Sequence, residues 1–426
     1  MLRLIERQKT TRDDDGEPWQ QSGVLLYPAA EAEQWYLVPL SLLYVAQPLI
    51  EDGIDVELVD QRLEKDFFDT VLQRITPGLI CIGISCMTGP QIEQVIRIGE
   101  FIKKLTITPV VLGGPHPTLF PEQTLESLFI DYVVLGEGKA PFLNLVRALK
   151  ENVSLEGLSN VGYKENGRIV IRKGFVPELS VRRIPYHLVS KYGRPATVPI
   201  LSSYDCPYHC TFCVEKILHP TFREVPLANV LYMVEEALQL RPQFINFFDD
   251  NFLVNKKRVV ELFSLCRQKG LDFLWVCTGR VDADLSLDDA AFRFLKQSGL
   301  VGIYFGIESG SPKILKLINK GIEPEMVLKL NLRLKQVGIL SHYSFMAGFP
   351  TETEEDFQKT RSLMNKLKEE NPRAVIWRIN QYTPYPGTEL FEIAVQNGFK
   401  PPERFEEWSH LYFYSKEYAV PYGAQL

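Results

Sequence analysis

The chain has 426 residues, 45% of them hydrophobic, with a formal net charge of −6. That length predicts two or three domains, and mixed charges without a long basic tract speak against nucleic acid as a partner. No run reaches the roughly 18 apolar residues that span a bilayer, and the N-terminal MLRLIERQKTTRDDD lacks the apolar core of a secretion signal, so no membrane span and a cytoplasmic location are expected. Seven cysteines, an odd number, fit metal ligation better than a disulfide framework in a compartment that keeps thiols reduced.

Residues 1–21 are polar and charged and predict a flexible lead-in. From residue 22 the chain alternates short apolar runs with helical stretches: SGVLLYP, a helical pattern over 36–52, then IDVELVD, LICIGIS, TPVVLGG and DYVVLGE. Continuous apolar strands separated by helices predict a parallel sheet covered on both faces over 22–150. Small residues gather after successive strands, in SCMTGP, GGPHPT and GEGKAP. In an open α/β sheet that carboxyl edge is where ligands bind, and glycines there let a large ligand approach the backbone.

Residues 151–195 read as a linker with a small hairpin, because ENG within VGYKENGRIVIRKG suits a tight turn. A second α/β series over 196–400 has six candidate strands: VPILSSY, QFINFF, DFLWVC, LVGIYFGI, ILSHYSFM and AVIWRINQY. Six βα repeats predict a full or partial barrel with its chemistry at the carboxyl ends of the strands. An aromatic tail over 401–426 follows. The fold class is α/β throughout.

Directly after the first strand of the second series comes YDCPYHCTFCVEK, which spaces Cys206, Cys210 and Cys213 as Cys-x3-Cys-x2-Cys. Three thiolates on one loop can wrap a [4Fe–4S] cluster and leave one iron open. A structural zinc site wants a closed set of four ligands, for which only His209 lies near. Cys81, Cys86, Cys266 and Cys277 read as packed apolar thiols.

The triad, with Phe212 before its third cysteine and its place after a first barrel strand, resembles the radical SAM superfamily. The resemblance implies that the open iron chelates S-adenosylmethionine (SAM) and that one electron cleaves it to a 5′-deoxyadenosyl radical, which abstracts hydrogen from substrate. FFDDNF then points to Asp249 and Asp250 as partners of the SAM amino group, CTGRVD to Arg280 as partner of its carboxylate, and GIESGS to Glu308 and Ser309 near the ribose. GFPTETEEDF and YTPYPGTEL complete the likeness. As plain structure, the two aspartates cap a helix, Arg280 forms a surface ion pair and GIESGS is a turn.

The first half resembles the cobalamin-binding domain that precedes many radical SAM barrels. This implies a Rossmann-like cobalamin-binding sheet followed by a partial (β/α)6 radical SAM barrel, with Ser85, Met87, Thr88, Gly113, Gly114, His116, Gly136, Glu137 and Gly138 around the corrin. The Asp-x-His-x-x-Gly signature of a lower histidine ligand is absent, and His116 equally suits a turn cap.

Together these likenesses imply cobalamin, a [4Fe–4S] cluster and SAM as cofactors, a flavodoxin or ferredoxin as electron donor, and a small-molecule or peptide substrate. They imply methyl transfer from methylcobalamin to carbon. Tyr304, His342 and Tyr382 suit either substrate contact or packing. The alternatives are a non-methylating radical cyclase, oxidation or rearrangement enzyme, and, in another class, a non-catalytic corrinoid or metal-binding protein. A tRNA methylthiolase is disfavoured, since no second triad and no basic appendage are present.

Overall fold

A computed structural model describes residues 21–29, 38–175, 183–219 and 221–411. The lead-in therefore lies outside the described residues except for Gln21, as do the start of the helical pattern at 36–37 and the tail beyond 411. The described residues divide into two compact units, one up to residue 194 together with 402–411, the other 195–401.

The first unit is built on a seven-stranded sheet. Its strands are β1 (Ser22–Tyr27), β2 (Asp55–Asp60), β3 (Leu79–Ser85), β4 (Val110–Gly113), β5 (Tyr132–Val134), β6 (Val161–Glu165) and β7 (Arg168–Arg172), in the order β2-β1-β3-β4-β5-β6-β7. The first five are parallel, whereas β6 and β7 run antiparallel. The predicted hairpin is thus real but is no linker. Val161 and Gly162 pair with Val134 and Val133, so the hairpin extends the sheet and supplies its edge.

Helices cover the sheet because their apolar residues recur on one face. In Gln91–Leu105 the buried positions after Gln91 are Ile92, Val95, Ile98, Gly99 and Ile102, the stripe expected of an amphipathic helix. A Cβ on Gly99 would stand 2.1 Å from the Phe129 ring, so only glycine lets that ring lie against the helix backbone. The segment 402–411, expected as part of a tail, packs into this unit: Phe405 and Trp408 are fully buried.

In the second unit β8 (Thr197–Ile200) leads into a two-residue ladder of β9 (Ser203–Tyr204) with β10 (Arg223–Glu224). Then come β11 (Phe244–Phe247), β12 (Trp275–Gly279), β13 (Leu300–Glu308), β14 (Leu340–Ala347) and β15 (Val375–Gln381). The main sheet is parallel, six-stranded and open, in the order β15-β14-β13-β12-β11-β8, as expected of a partial barrel.

Alternate residues of these strands are buried on one face, as in Ser341, Tyr343, Phe345 and Ala347 of β14. Behind β11 and β12, Trp275 stacks on Phe263 at 4.1 Å and Phe247 on Phe252 at 4.3 Å. Such ring pairs contribute about 0.5–1.5 kcal/mol each beyond area burial and anchor β11 and β12 to the helical layer.

Candidate functional site

The cysteine loop leaves β9 and ends at the helix Glu215–Leu218. Cys206, Cys210 and Cys213 are half-buried free thiols. Burial pushes the Cys206 thiol up and that of Cys213 up to about 12. Among the described residues no three His, Cys, Asp or Glu side chains converge as a single metal ion would require. The donors of the loop are three thiols, the ligand type that a cubane cluster takes.

The loop is held in place by its middle. Thr211 donates its N–H to the Ile318 carbonyl (3.1 Å) and its hydroxyl to the Leu317 carbonyl (3.1 Å), and its own carbonyl accepts from the Leu390 N–H (3.0 Å). The amide of Asn319 donates to the His209 carbonyl at 2.7 Å. At the start of the loop, Asp205 takes a left-handed φ of 65°, and its buried carboxylate accepts from Lys216 at 2.6 Å. None of these braces stands out in the sequence, because threonine, asparagine and lysine at loop and helix ends also serve ordinary capping.

The two aspartates of FFDDNF have separate surroundings. Asp249 is fully buried, and its carboxylate accepts from the Ser202 N–H (3.1 Å), the Ser202 hydroxyl (2.9 Å) and the Ser203 hydroxyl (2.5 Å). The Thr278 hydroxyl donates to its carbonyl. Asp249 therefore ties β8, β11 and β12 together and has no lobe free for a ligand. Asp250 is exposed to solvent, yet sits in enclosed ground that raises its pKa, helped by Asp205 and Asp249. Nearby, burial and then the charge of Asp250 push Glu215 up to about 7.

Arg280 is not a surface ion pair. Its guanidinium lies 3.9 Å over the Tyr208 ring, Nη1 donates to Cys210 Sγ at 3.5 Å, and Nε stands 2.8 Å from Asp282. Glu308, at φ 69°, is buried and its carboxylate accepts from Lys320 at 2.9 Å. The carboxylate folds back over Gly306, where a Cβ would stand 2.3 Å from Oε1, and this close approach accounts for the first glycine of GIESGS. Lys320, whose ammonium lies 5.9 Å from the Phe212 ring, was hidden in the sequence as an ordinary helix-end lysine.

Ser309 is fully buried: its hydroxyl meets that of Thr360 at 3.1 Å and accepts from the Ser311 N–H at 3.1 Å. Ser311 donates to Asp356 at 2.6 Å, which also accepts from Lys313 and Thr353. Ser309 thereby locks the turn that presents Glu308 and faces no open space. Phe212 packs 6.3 Å from Phe349, which stacks on buried Tyr382 at 5.3 Å. Tyr304 and His342 stack at 4.4 Å beside half-exposed Trp377.

In the first unit the glycine-rich turns collect at one sheet edge. Ser85 pairs with Gly113 in register, and the Cys86 N–H donates to the Gly113 carbonyl at 2.9 Å. Gly114 has φ 105° and a Cβ there would stand 2.9 Å from the Cys86 carbonyl, so only glycine fits. A Cβ on Gly113 or Gly136, in contrast, would meet nothing within 4 Å. Thr118 bridges these turns, donating to the Gly114 carbonyl and accepting from the Gly136 N–H. Gly138 lies against Val45, Glu137 pairs with Lys139 at 3.5 Å, and Met87 is 50% exposed. An open, glycine-lined edge with an exposed thioether fits a broad, flat, largely apolar ligand such as a corrin.

His116 follows directly on the Gly114 turn, its N–H donating to the Cys86 carbonyl at 3.1 Å. It is fully buried between Phe120, Phe405 and Trp408, with ring centroids 5.0, 5.2 and 5.9 Å away, and burial pushes its pKa down to about 3. Nδ1 meets the Thr88 hydroxyl at 3.1 Å and Nε2 has no partner. The segment 402–411 is latched over it through Gln123, which donates to the carbonyls of Pro402 and Glu403 and accepts from the Trp408 indole. Cys81, Cys86, Cys266 and Cys277 are buried, as expected of packed thiols.

Residues 200–364 match the radical SAM superfamily and residues 34–146 the B12 binding domain. The chain is 31% identical over 383 residues to an uncharacterised methyltransferase of Pyrococcus horikoshii, covering 84% of this chain and 79% of that protein. It is 26% identical over 377 residues to the anaerobic magnesium-protoporphyrin IX monomethyl ester cyclase of Rubrivivax gelatinosus, covering 83% of this chain and 66% of the cyclase. In fold it is similar to the radical SAM methyltransferase TsrM of Kitasatospora setae, solved with cobalamin and a [4Fe–4S] cluster, with TM-score 0.74 at 18% identity over 91% of this chain and 81% of TsrM.

This chain belongs to the cobalamin-binding radical SAM family. The cofactors of that family are cobalamin, a [4Fe–4S] cluster and SAM.

Proposed function

We propose that the protein is a cobalamin-dependent radical SAM methyltransferase acting on a carbon of a small-molecule or peptide substrate. The carrying observation is the loop of three free thiols at the carboxyl edge of a partial barrel, in a chain whose other unit is a B12-binding sheet with an open glycine edge. When bound, the cluster supplies the electron that cleaves SAM, and the corrinoid supplies the methyl group.

The protein's own part is to hold and orient. Cys206, Cys210 and Cys213 ligate the cluster, with Thr211 and Asn319 fixing the loop they sit on. Asp250 accepts hydrogen bonds from the SAM ammonium, a charge-assisted contact. Glu308 and Phe212 border the cosubstrate, while Asp249 and Ser309 act through the strand ends and turn they lock. On the first unit, Ser85, Met87, Thr88, Gly113, Gly114, Gly136, Glu137 and Gly138 surround the corrin, and 402–411 is part of that unit.

No helix among the described residues is long and apolar enough to cross a membrane. We assign the protein to the cytoplasm, where free thiols stay reduced, with a flavodoxin or ferredoxin as its electron donor. The likeness to the cyclase favours a second reading, radical oxidation or cyclisation without methyl transfer. Anaerobic incubation with cobalamin, reductant and SAM carrying a labelled methyl group separates the two. Label on the corrinoid supports the methyltransferase; an unlabelled corrinoid alongside SAM cleavage supports the second reading.

A further inference from the structure

Arg280 carries a permanent charge and is almost wholly buried, with 8% of its surface exposed. Its nitrogens have close neighbours. Nε faces Asp282 at 2.8 Å, Nη1 donates to Cys210 Sγ at 3.5 Å, and Nη2 lies so close to Gly321 that a Cβ there would stand 3.3 Å from it. The face of the guanidinium is covered by Tyr208 at 3.9 Å. Nη1 is thus turned to the cysteine loop, a different role from the carboxylate contact the motif suggested. Lys320 lies near as well, its ammonium paired with Glu308 at 2.9 Å.

We propose that Arg280 is a positioning residue for the cluster: it donates to the Cys210 sulfur, holds that ligand in register with Cys206 and Cys213, and favours the reduced cluster. The inference rests on reading the cysteine triad as a cluster loop. The reduced cluster carries one more negative charge than the oxidised one. A buried cation with a hydrogen bond to a ligand sulfur stabilises that extra charge, a recognised lever on iron–sulfur potentials. Because Tyr208 and Asp282 keep the guanidinium from turning away, its N–H stays aimed at the sulfur in both states.

The test compares the intact protein with Arg280→Gln and Arg280→Lys after anaerobic reconstitution with iron and sulfide. Midpoint potentials are read by electron paramagnetic resonance during a mediated dithionite titration, first without SAM and then with it. Arg280→Gln is expected to bind the electron at least tenfold less well, a shift of about 59 mV to lower potential for a one-electron couple. Arg280→Lys, which keeps the charge without the fork, falls between. Loss of the cluster from a normally folded Arg280→Gln protein, judged by circular dichroism, supports the same placement through the ligand it misplaces. An unchanged potential in both variants overturns the proposal. If the potential holds and only the spectral response to SAM is lost, Arg280 binds the cosubstrate instead. Failure of the unsubstituted protein to take up a cluster would count against the cluster reading itself, a separate result.

Discussion

The carboxylate of Asp249 accepts the N–H of Ser202 at 3.1 Å while lying at the end of the neighbouring strand, so two strand ends of the barrel are joined by one side chain. Cys206 lies four residues after Ser202, so the placement of the cysteine loop depends on that joint. Asp249→Ala leaves one N–H and two hydroxyls without their acceptor in a dry interior. A loss of about 3 kcal/mol is expected, since each stranded buried group costs about 1–3 kcal/mol and the three relax together. Urea unfolding checks the stability, and iron content after reconstitution should fall with it. A variant as stable as the unsubstituted protein would refute the structural role.

His116 predicts a different pair of outcomes. Removing its ring from between Phe120, Phe405 and Trp408 opens a cavity, and His116→Ala should cost about 2–4 kcal/mol. The visible spectrum of bound cobalamin should stay that of the unsubstituted protein, because a ring buried under 402–411 does not ligate cobalt. A spectral change on substitution, with cobalamin still bound, would contradict this.

At the corrin edge the outcomes reverse. A Cβ on Gly113 meets open space, so Gly113→Val should leave the thermal midpoint within a degree or two, in keeping with the roughly ±0.5 kcal/mol typical of surface changes. The added branches occupy the approach to the sheet edge, and cobalamin retained after dialysis should fall tenfold or more. Retention equal to that of the unsubstituted protein would remove Gly113 from the site.

Asp356 gives the pH dependence. Burial works to raise its pKa, but hydrogen bonds from Ser311, Lys313 and Thr353 outweigh it and hold the carboxyl well below its ordinary value of 3.8. A depressed folded-state value means that the unfolded chain binds the proton more readily, so the stabilisation is present above pH 3.8 and is lost as pH falls through the folded value. Asp356→Asn should be less stable by about 2 kcal/mol at neutral pH, with the gap closing below about pH 4. Urea midpoints across that range check it; a gap that widens on acidification would contradict the sign.

Much of this was legible in the chain. The runs LICIGIS and LVGIYFGI became β3 and β13 almost residue for residue, because strands buried on both faces write continuous apolar text. The cysteine spacing was equally plain, since one loop carries all three thiols. What the text hid were relations between distant segments. Nothing near 402–411 announces that Trp408 returns to the first unit, and the ENG turn fixed a hairpin without saying that its strand would pair with β5. Asp249 and Asp250 looked interchangeable in FFDDNF; only the folded chain points one into Ser202 and Ser203 and leaves the other exposed. Arg280 could not be assigned from CTGRVD, because its partners Tyr208 and Cys210 are some seventy residues away.

The central claim, that Cys206, Cys210 and Cys213 hold a cluster that cleaves SAM, is tested most directly by 5′-deoxyadenosine formation. Anaerobically reconstituted protein and its Cys210→Ala variant are incubated with cobalamin, SAM and dithionite. The account predicts 5′-deoxyadenosine from the unsubstituted protein and none above background from Cys210→Ala, with both chains folded and both retaining cobalamin. Equal amounts from the two, or none from unsubstituted protein that carries its full complement of iron and sulfide, would contradict it.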